Sequence, residues 1–156
     1  MDKKKPSPSL RVFLLGAGQR PEVLAEAERL RPAIESLSEI VCTDFAGTED
    51  LSKLEGDLAI VLGGDGSILR AVHQMGYRQV PVAAVNLGKL GFLANVTPSD
   101  LPTLLKDFAA GKMQVMEHLM FECSVFRNGE VCGRHLGLNE TVLQAGRPFR
   151  LIDVDL

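Results

Sequence analysis

Long apolar runs are missing from the start of this sequence. The run that follows the first residues, "VFLL" (12–15), is far too short for the core of a signal peptide or for a membrane span. The expected compartment is therefore the cytoplasm, with no membrane partner. A basic surplus is missing too: 17 Lys and Arg against 20 Asp and Glu give a formal charge of −3. That balance argues against a nucleic-acid binder, which carries excess positive charge on one face. The one basic run, Lys3, Lys4 and Lys5, stands beside "PSPS" and reads as a frayed terminus. Cysteine is scarce, with Cys42, Cys123 and Cys132 odd in number and widely spaced. No C-x-x-C or H-x-x-x-H pattern links them to His73, His118 or His135, so no metal site is predicted from protein ligands. Cys123 and Cys132 would sit diagonally across a hairpin, roughly 7–8 Å apart, a poor geometry for a disulfide. Buried free thiols are expected.

What is present describes a globular protein: 156 residues, 46% hydrophobic and 24% charged, enough for one domain or one and part of a second. "LRVFLL" (10–15), "IVCTDF" (40–45), "DLAIVL" (57–62) and "VPVAAV" (80–85) read as strands. Between the first two, Val23, Ala27, Leu30, Ile34 and Leu37 recur at helical spacing behind Pro21. Pro32 predicts a kink or restart in that helix. A second helix should follow the glycines at 63–66, with Ile68, Leu69, Val72 and Met75 on one face and Gly76 as its end. A third should span "SDLPTLLKDFAAGK" (99–112). Unbroken apolar strands alternating with helices imply a Rossmann-like parallel sheet covered on both faces, an α/β domain over residues 1–112.

From residue 113 the texture changes. Extended segments flank Asn128-Gly129, a strong hairpin signal. Pairing Arg127 with Glu130 would set Phe121 opposite Leu136 and Leu119 opposite Leu138. "FRLIDVDL" then begins another alternating strand. Residues 113–156 thus read as the start of an all-β domain, incomplete because a hairpin and one further strand are marginal alone.

Ligands of parallel α/β sheets bind beyond the carboxyl ends of the strands. Three glycine stretches leave such ends. "GAGQRP" (16–21) has the first two glycines of a dinucleotide fingerprint and then breaks it, so a plain turn is the better reading. "GGDGS" (63–67) lets backbone N–H groups approach a phosphate at a helix start. The lysine and spacing of a P-loop are absent from it. Asp65, at its centre, has three possible tasks: capping the helix, holding Mg²⁺ that bridges to phosphate, or accepting a proton from a hydroxyl that attacks a phosphoryl group. "NLGKLGFLANV" (86–96) presents Phe92 and Leu93 as an apolar pair suited to a flat ring. Glycine turns tucking Phe92 into the core is the alternative.

"GGDGS", "NLGKLGFLA" and "LNETVL" (138–143), in this order, resemble the signature blocks of the NAD kinases. "GGDG" alone is shared with lipid kinases and phosphofructokinases, while "LGKLGFL" discriminates. The resemblance runs from about residue 10 to the end of the chain. It implies transfer of the terminal phosphate of ATP, or of polyphosphate, to the 2′-hydroxyl of the adenosine ribose of NAD, with a divalent cation, Mg²⁺ accompanying ATP. It implies Asp65 as the catalytic proton acceptor and Gly66 and Arg70 as nucleotide contacts. Phe92 and Leu93 would line the base pocket, and Asn139 and Glu140, on a strand of the second domain, would bind the ribose and nicotinamide part of NAD. The family fold is an α/β domain followed by a β-sandwich with the site between them, in homo-oligomers, dimers or tetramers. Ser67 stands where threonine is most often found, a mild departure.

Family members continue well beyond residue 156, so a truncated form of a longer protein is expected. The remainder would carry the rest of the NAD pocket and much of the oligomer contact. These residues alone should show weak or absent kinase activity and poor solubility from unpaired strand edges. The alternatives are a non-catalytic NAD-binding fragment and a lipid or sugar-phosphate kinase using the same "GGDG" loop.

Overall fold

The computed structural model describes residues 10–88 and 91–147, together with Asp153 and Asp155. They fall into two compact units, Met1–Glu117 and His118–Leu156. The first contains four strands, β1 (Leu10–Gly16), β2 (Ser38–Asp44), β3 (Leu58–Leu62) and β4 (Val82–Val85), and three helices, α1 (Pro21–Glu35), α2 (Asp65–Met75) and α3 (Leu101–Ala109). The strands form one parallel sheet in the order β2-β1-β3-β4. β3 is buried along its whole length, as expected of a central parallel strand covered on both faces.

Successive side chains on a strand point to opposite faces, and the burial follows that period. Val12 and Leu14 of β1 join Leu58, Ile60 and Leu62 of β3 in a cluster with Val23, Ala27, Leu30 and Ile34 of α1 and with Leu101 and Leu105 of α3. Phe13, Leu15, Ala59 and Val61 alternate with these and are buried as well. α2 contributes Ile68, Ala71, Val72 and Met75 to the buried set. Gly76, at φ +57°, closes it, its N–H bonding to the Val72 carbonyl at 3.1 Å.

Pro32 does not restart α1, which continues to Glu35. The proline sits in the last turn with its ring exposed, so only one intrahelical bond is lost and nothing in the core has to move.

In the second unit β5 (Phe121–Arg127) and β6 (Glu130–Gly137) form an antiparallel hairpin. Asn128 and Gly129 take φ values of +51° and +84°, the two left-handed positions of a type I′ turn. Arg127 pairs with Glu130 as expected, but the register shifts between Val125 and Phe126. Cys132 is the extra residue of that bulge, and beyond it Phe121 faces Gly137 rather than Leu136. The Phe121 ring then covers the glycine: a Cβ on Gly137 would lie 2.7 Å from its Cε2. Leu119 and Leu138 fall outside the strands. The thiols are free, yet they are not buried: Cys42 and Cys123 are half-buried and Cys132 is exposed. The strand expected over "FRLIDVDL" lies largely outside the described residues. None of the described helices is long and apolar enough to cross a membrane.

Candidate active site

The strand order reverses direction between β1 and β3, whose carboxyl ends pair through Gly16 and Leu62. That reversal is the switch point of an open parallel sheet, where such folds bind ligands. Two glycine stretches leave it, and their environments differ. A Cβ on Gly16 would lie 2.8 Å from Val23 Cγ1 and 2.9 Å from the Leu62 carbonyl oxygen. One on Gly18 would lie 2.7 Å from the Phe45 carbonyl oxygen, which already accepts the Gly18 N–H at 2.8 Å. These glycines serve packing, as the plain-turn reading expected.

Gly64 and Gly66 meet nothing within 4 Å of the position a Cβ would take. Between β3 and α2 the chain turns at Gly63, at φ +140°, whose N–H is held by the Val85 carbonyl at 3.0 Å. Gly64 is extended and precedes α2, whose first turn has no side-chain cap. Uncapped helix N–H groups beside open glycines are what an anion needs. Alanine at Gly66 should therefore leave thermal stability within about 0.5 kcal/mol while weakening the binding of an anion such as inorganic phosphate, measured by calorimetry. Alanine at Gly18 should do the reverse, costing about 1–3 kcal/mol by overpacking.

Asp65 is the first residue of α2, and it does not cap the helix. Its carboxylate reaches across to the 86–96 loop. Oδ2 accepts the Phe92 N–H at 3.0 Å, and Oδ1 accepts those of Leu93 and Ala94 at 3.1 and 3.3 Å. The N–H of Phe92, then that of Leu93 and less that of Ala94, holds this carboxyl below the usual carboxylate range, against an opposing effect of burial. A carboxylate has about four acceptor places, so Oδ2 keeps one for a further donor.

The loop is fixed at its base as well. Asn86 donates to the Val96 carbonyl at 2.8 Å, and Val96 donates to the Ala84 carbonyl at 3.0 Å, extending the sheet edge. Asn86 Oδ1 accepts the Gly88 N–H at 2.9 Å. At the tip Phe92 is fully exposed, Leu93 is half-buried and Ala94 is buried. The loop does not tuck Phe92 into the core. Arg70, half-buried on α2, lays its side chain against Gly47, at φ +75°.

One acidic residue at this edge escaped the sequence reading. Asp44 ends β2 and is buried. Its Oδ1 accepts the N–H groups of Ala46 and Gly47, and its Oδ2 those of Thr48 and Glu49, all at 2.8 Å. Gln74 Nε2, from α2, adds a bond to Oδ2 at 2.7 Å. Burial alone would raise the Asp44 pKa, but these donors outweigh it and hold the group below its ordinary value. The available signal was an aspartate at a strand end before the small, polar "AGTE".

Asn139 and Glu140 belong to the second unit. They lie just past the end of β6, not on a strand, and both are exposed. The described residues contain no group of three or more His, Cys, Asp or Glu able to hold a metal ion.

Fold and site together define an α/β domain whose sheet edge opens on a glycine-lined helix start. Residues 17–113 match the ATP-NAD kinase N-terminal domain, and the chain belongs to that family. It is 42% identical over 146 residues to an NAD kinase of Rhodopirellula baltica, covering 94% of this chain and 47% of that one. It is 43% identical over 107 residues to an NAD kinase of Geobacter sulfurreducens, covering 69% and 37%. This chain thus spans about half or less of the curated relatives it matches. Among solved structures, yeast NADH kinase complexed with NADH superposes with a TM-score of 0.63 at 19% identity, covering 86% of this chain and 48% of that one. An NAD kinase from Archaeoglobus fulgidus in complex with ATP gives 0.52 at 21% identity, covering 78% and 45%. At such identities these two likenesses establish the fold: the parallel sheet with flanking helices is that of the NAD kinase structures.

Proposed function

We propose that the protein to which this chain belongs phosphorylates the 2′-hydroxyl of the adenosine ribose of NAD, taking the terminal phosphate from ATP. The observation that carries the reading is the Asp65 carboxylate. It stands at an open, glycine-lined helix start, ionised, with one acceptor place left on Oδ2. A carboxylate beside phosphate repels it unless a donor or a cation compensates. The sugar hydroxyl supplies the donor. Mg²⁺ held by the ATP phosphates would supply charge neutralisation on the transferred group, with Asp65 as the nearest carboxylate. The residues present would fit that arrangement, since Asp65 keeps one acceptor place at the open helix start.

In the reaction the bond from the terminal phosphorus to its bridging oxygen breaks as the ribose oxygen attacks. ADP leaves with the former bond's electrons, and the hydroxyl proton passes to Asp65 and then to solvent. A carboxylate held below the ordinary range is a weak base for a hydroxyl. In a loose phosphoryl-transfer transition state early deprotonation is not required, and positioning supplies most of the effect. Gly66 and the uncapped N–H groups of α2 hold phosphate, with Arg70 on the same helix as a second nucleotide contact. Phe92 offers a bare ring to the base, with Leu93 beside it. Asn139 and Glu140 bind the ribose and nicotinamide part, the amide donating and accepting and the acid accepting from hydroxyls. The full-length enzyme works in the cytoplasm as a homo-oligomer.

The test mixes the protein with ATP-Mg and NAD and couples any NADP to an NADP-specific dehydrogenase. NADP formation supports the kinase. Calorimetric NAD binding without NADP would instead identify a binding module, and phosphorylated lipid would overturn both readings.

A further inference from the structure

The hydrogen bonds of Asp65 join the two segments that carry the proposed chemistry and the proposed base contact. The carboxylate stands at the first position of α2 and takes three consecutive amides from a loop 27 to 29 residues away. Its fit against that loop is close. A Cβ on Gly91 would lie 2.9 Å from Asp65 Cγ and 3.1 Å from Oδ2, so a side chain at 91 would push the carboxylate or the loop aside. Below the latch the loop is tied to β4 through Val96. Above it, Phe92 has no packing of its own, because its ring is fully exposed. The backbone that carries the ring is therefore held by its own N–H on Asp65 and by the two amides that follow.

We propose that Asp65 and Gly91 form a latch that fixes the 91–94 segment, so that the group receiving the sugar hydroxyl also sets the ring that receives the base. Gly91 acts as a positioning residue, since it touches no reacting atom and works through the carboxylate it admits. This rests on the kinase reading for the identity of the ligand, though not for the latch itself. Three consecutive amides on one ionised carboxylate leave both ends of the contact with a definite register. A loop displaced at Phe92 costs nucleotide affinity, and one displaced at Asp65 costs turnover. The two losses are coupled through one side chain.

Amide hydrogen exchange of the unliganded chain tests the latch without reference to activity. Gly91→Ala should raise exchange at Phe92, Leu93 and Ala94, and Asp65→Asn at those of the three that meet the new NH₂, by about tenfold or more, the scale of a lost hydrogen bond to a charged group. Exchange in α1 and α3 should stay unchanged, which separates loop release from global unfolding. Calorimetry with NAD should show Gly91→Ala weakening binding by about tenfold. A KM effect exceeding the kcat effect should accompany it wherever turnover is measurable. Unchanged exchange at 92–94 in both variants would overturn the latch, as would raised exchange with NAD affinity intact. If NAD binds neither this chain nor the full-length protein, the kinase reading is overturned, and the exchange data alone decide the latch.

Discussion

On the proposed kinase reading, replacing Asp65 by asparagine in the full-length protein is expected to lower the rate of NADP formation by a factor of about 10²–10⁴, the range of a lost general base. Asparagine keeps the size of the side chain and removes its charge, so the change isolates what the carboxylate does. Two losses combine. The proton of the ribose hydroxyl has no acceptor of adequate basicity, which lowers kcat. The side-chain NH₂, like the amides of Phe92, Leu93 and Ala94, is a donor, so at least one bond of the latch becomes a donor-donor contact. That raises the KM for nucleotide. Asp65→Glu restores charge but moves the carboxylate outward by a methylene, and a displacement near 1 Å can cost about 10²-fold by itself. Steady-state kinetics with NAD varied at saturating ATP-Mg separates the two effects. An asparagine variant forming NADP at the unaltered rate would remove Asp65 from the chemistry. The lowered pKa of this carboxyl also has a signed consequence on that reading: its ionised form persists below the ordinary carboxylate range, so any loss of turnover from protonating Asp65 falls in that acidic window.

The parallel sheet was legible because burial on both faces leaves no choice of residue. "LAIVL" can be little else than a central strand, and β3 is one. The glycine stretches were legible as positions and not as environments. Whether a glycine serves a ligand or a packing contact depends on what the chain brings against it. Phe45 closes Gly18 from 27 residues away, and nothing approaches Gly64 or Gly66. The same holds for Asp65. The sequence places it at a helix start, where capping is the local expectation, while its actual partners are amides in the loop after β4. In the hairpin the turn was readable from Asn128-Gly129, but one inserted residue at Cys132 moved every later pair. Local chemistry fixes turns and strand interiors. Contacts made across the sheet edge have no local signature.

Asp44 is buried and accepts five hydrogen bonds, so its loss should have a large effect on stability. Asp44→Asn should cost about 3 kcal/mol or more, because a buried donor left without an acceptor costs about 1–3 kcal/mol and several are left at once. Either orientation of the new amide sets its NH₂ against the pair Ala46 and Gly47, or against Thr48, Glu49 and Gln74. In a domain of this size the loss corresponds to a fall in Tm of roughly 10 °C. Gln74→Ala removes one donor and leaves the four backbone bonds, so it should cost only about 1 kcal/mol. The acid dependence has a definite sign. A carboxyl whose pKa is depressed by folding contributes stability above its unfolded value, near 3.9, and that contribution is lost as pH falls through the lower folded value. The gap between the unaltered chain and Asp44→Asn should therefore be widest at neutral pH and narrow in acid, measured by urea unfolding at several pH values. Doubly wound dinucleotide folds present an acidic side chain near this strand end to a ribose hydroxyl. Here the carboxylate faces inward and is filled by its own loop, which carries Phe45 against Gly18 and Gly47 against Arg70. If Asp44 were instead a ribose ligand, its asparagine variant would keep its Tm and lose NAD; the filled carboxylate requires the opposite pattern, lost stability first and NAD affinity affected only as the 44–50 loop loosens.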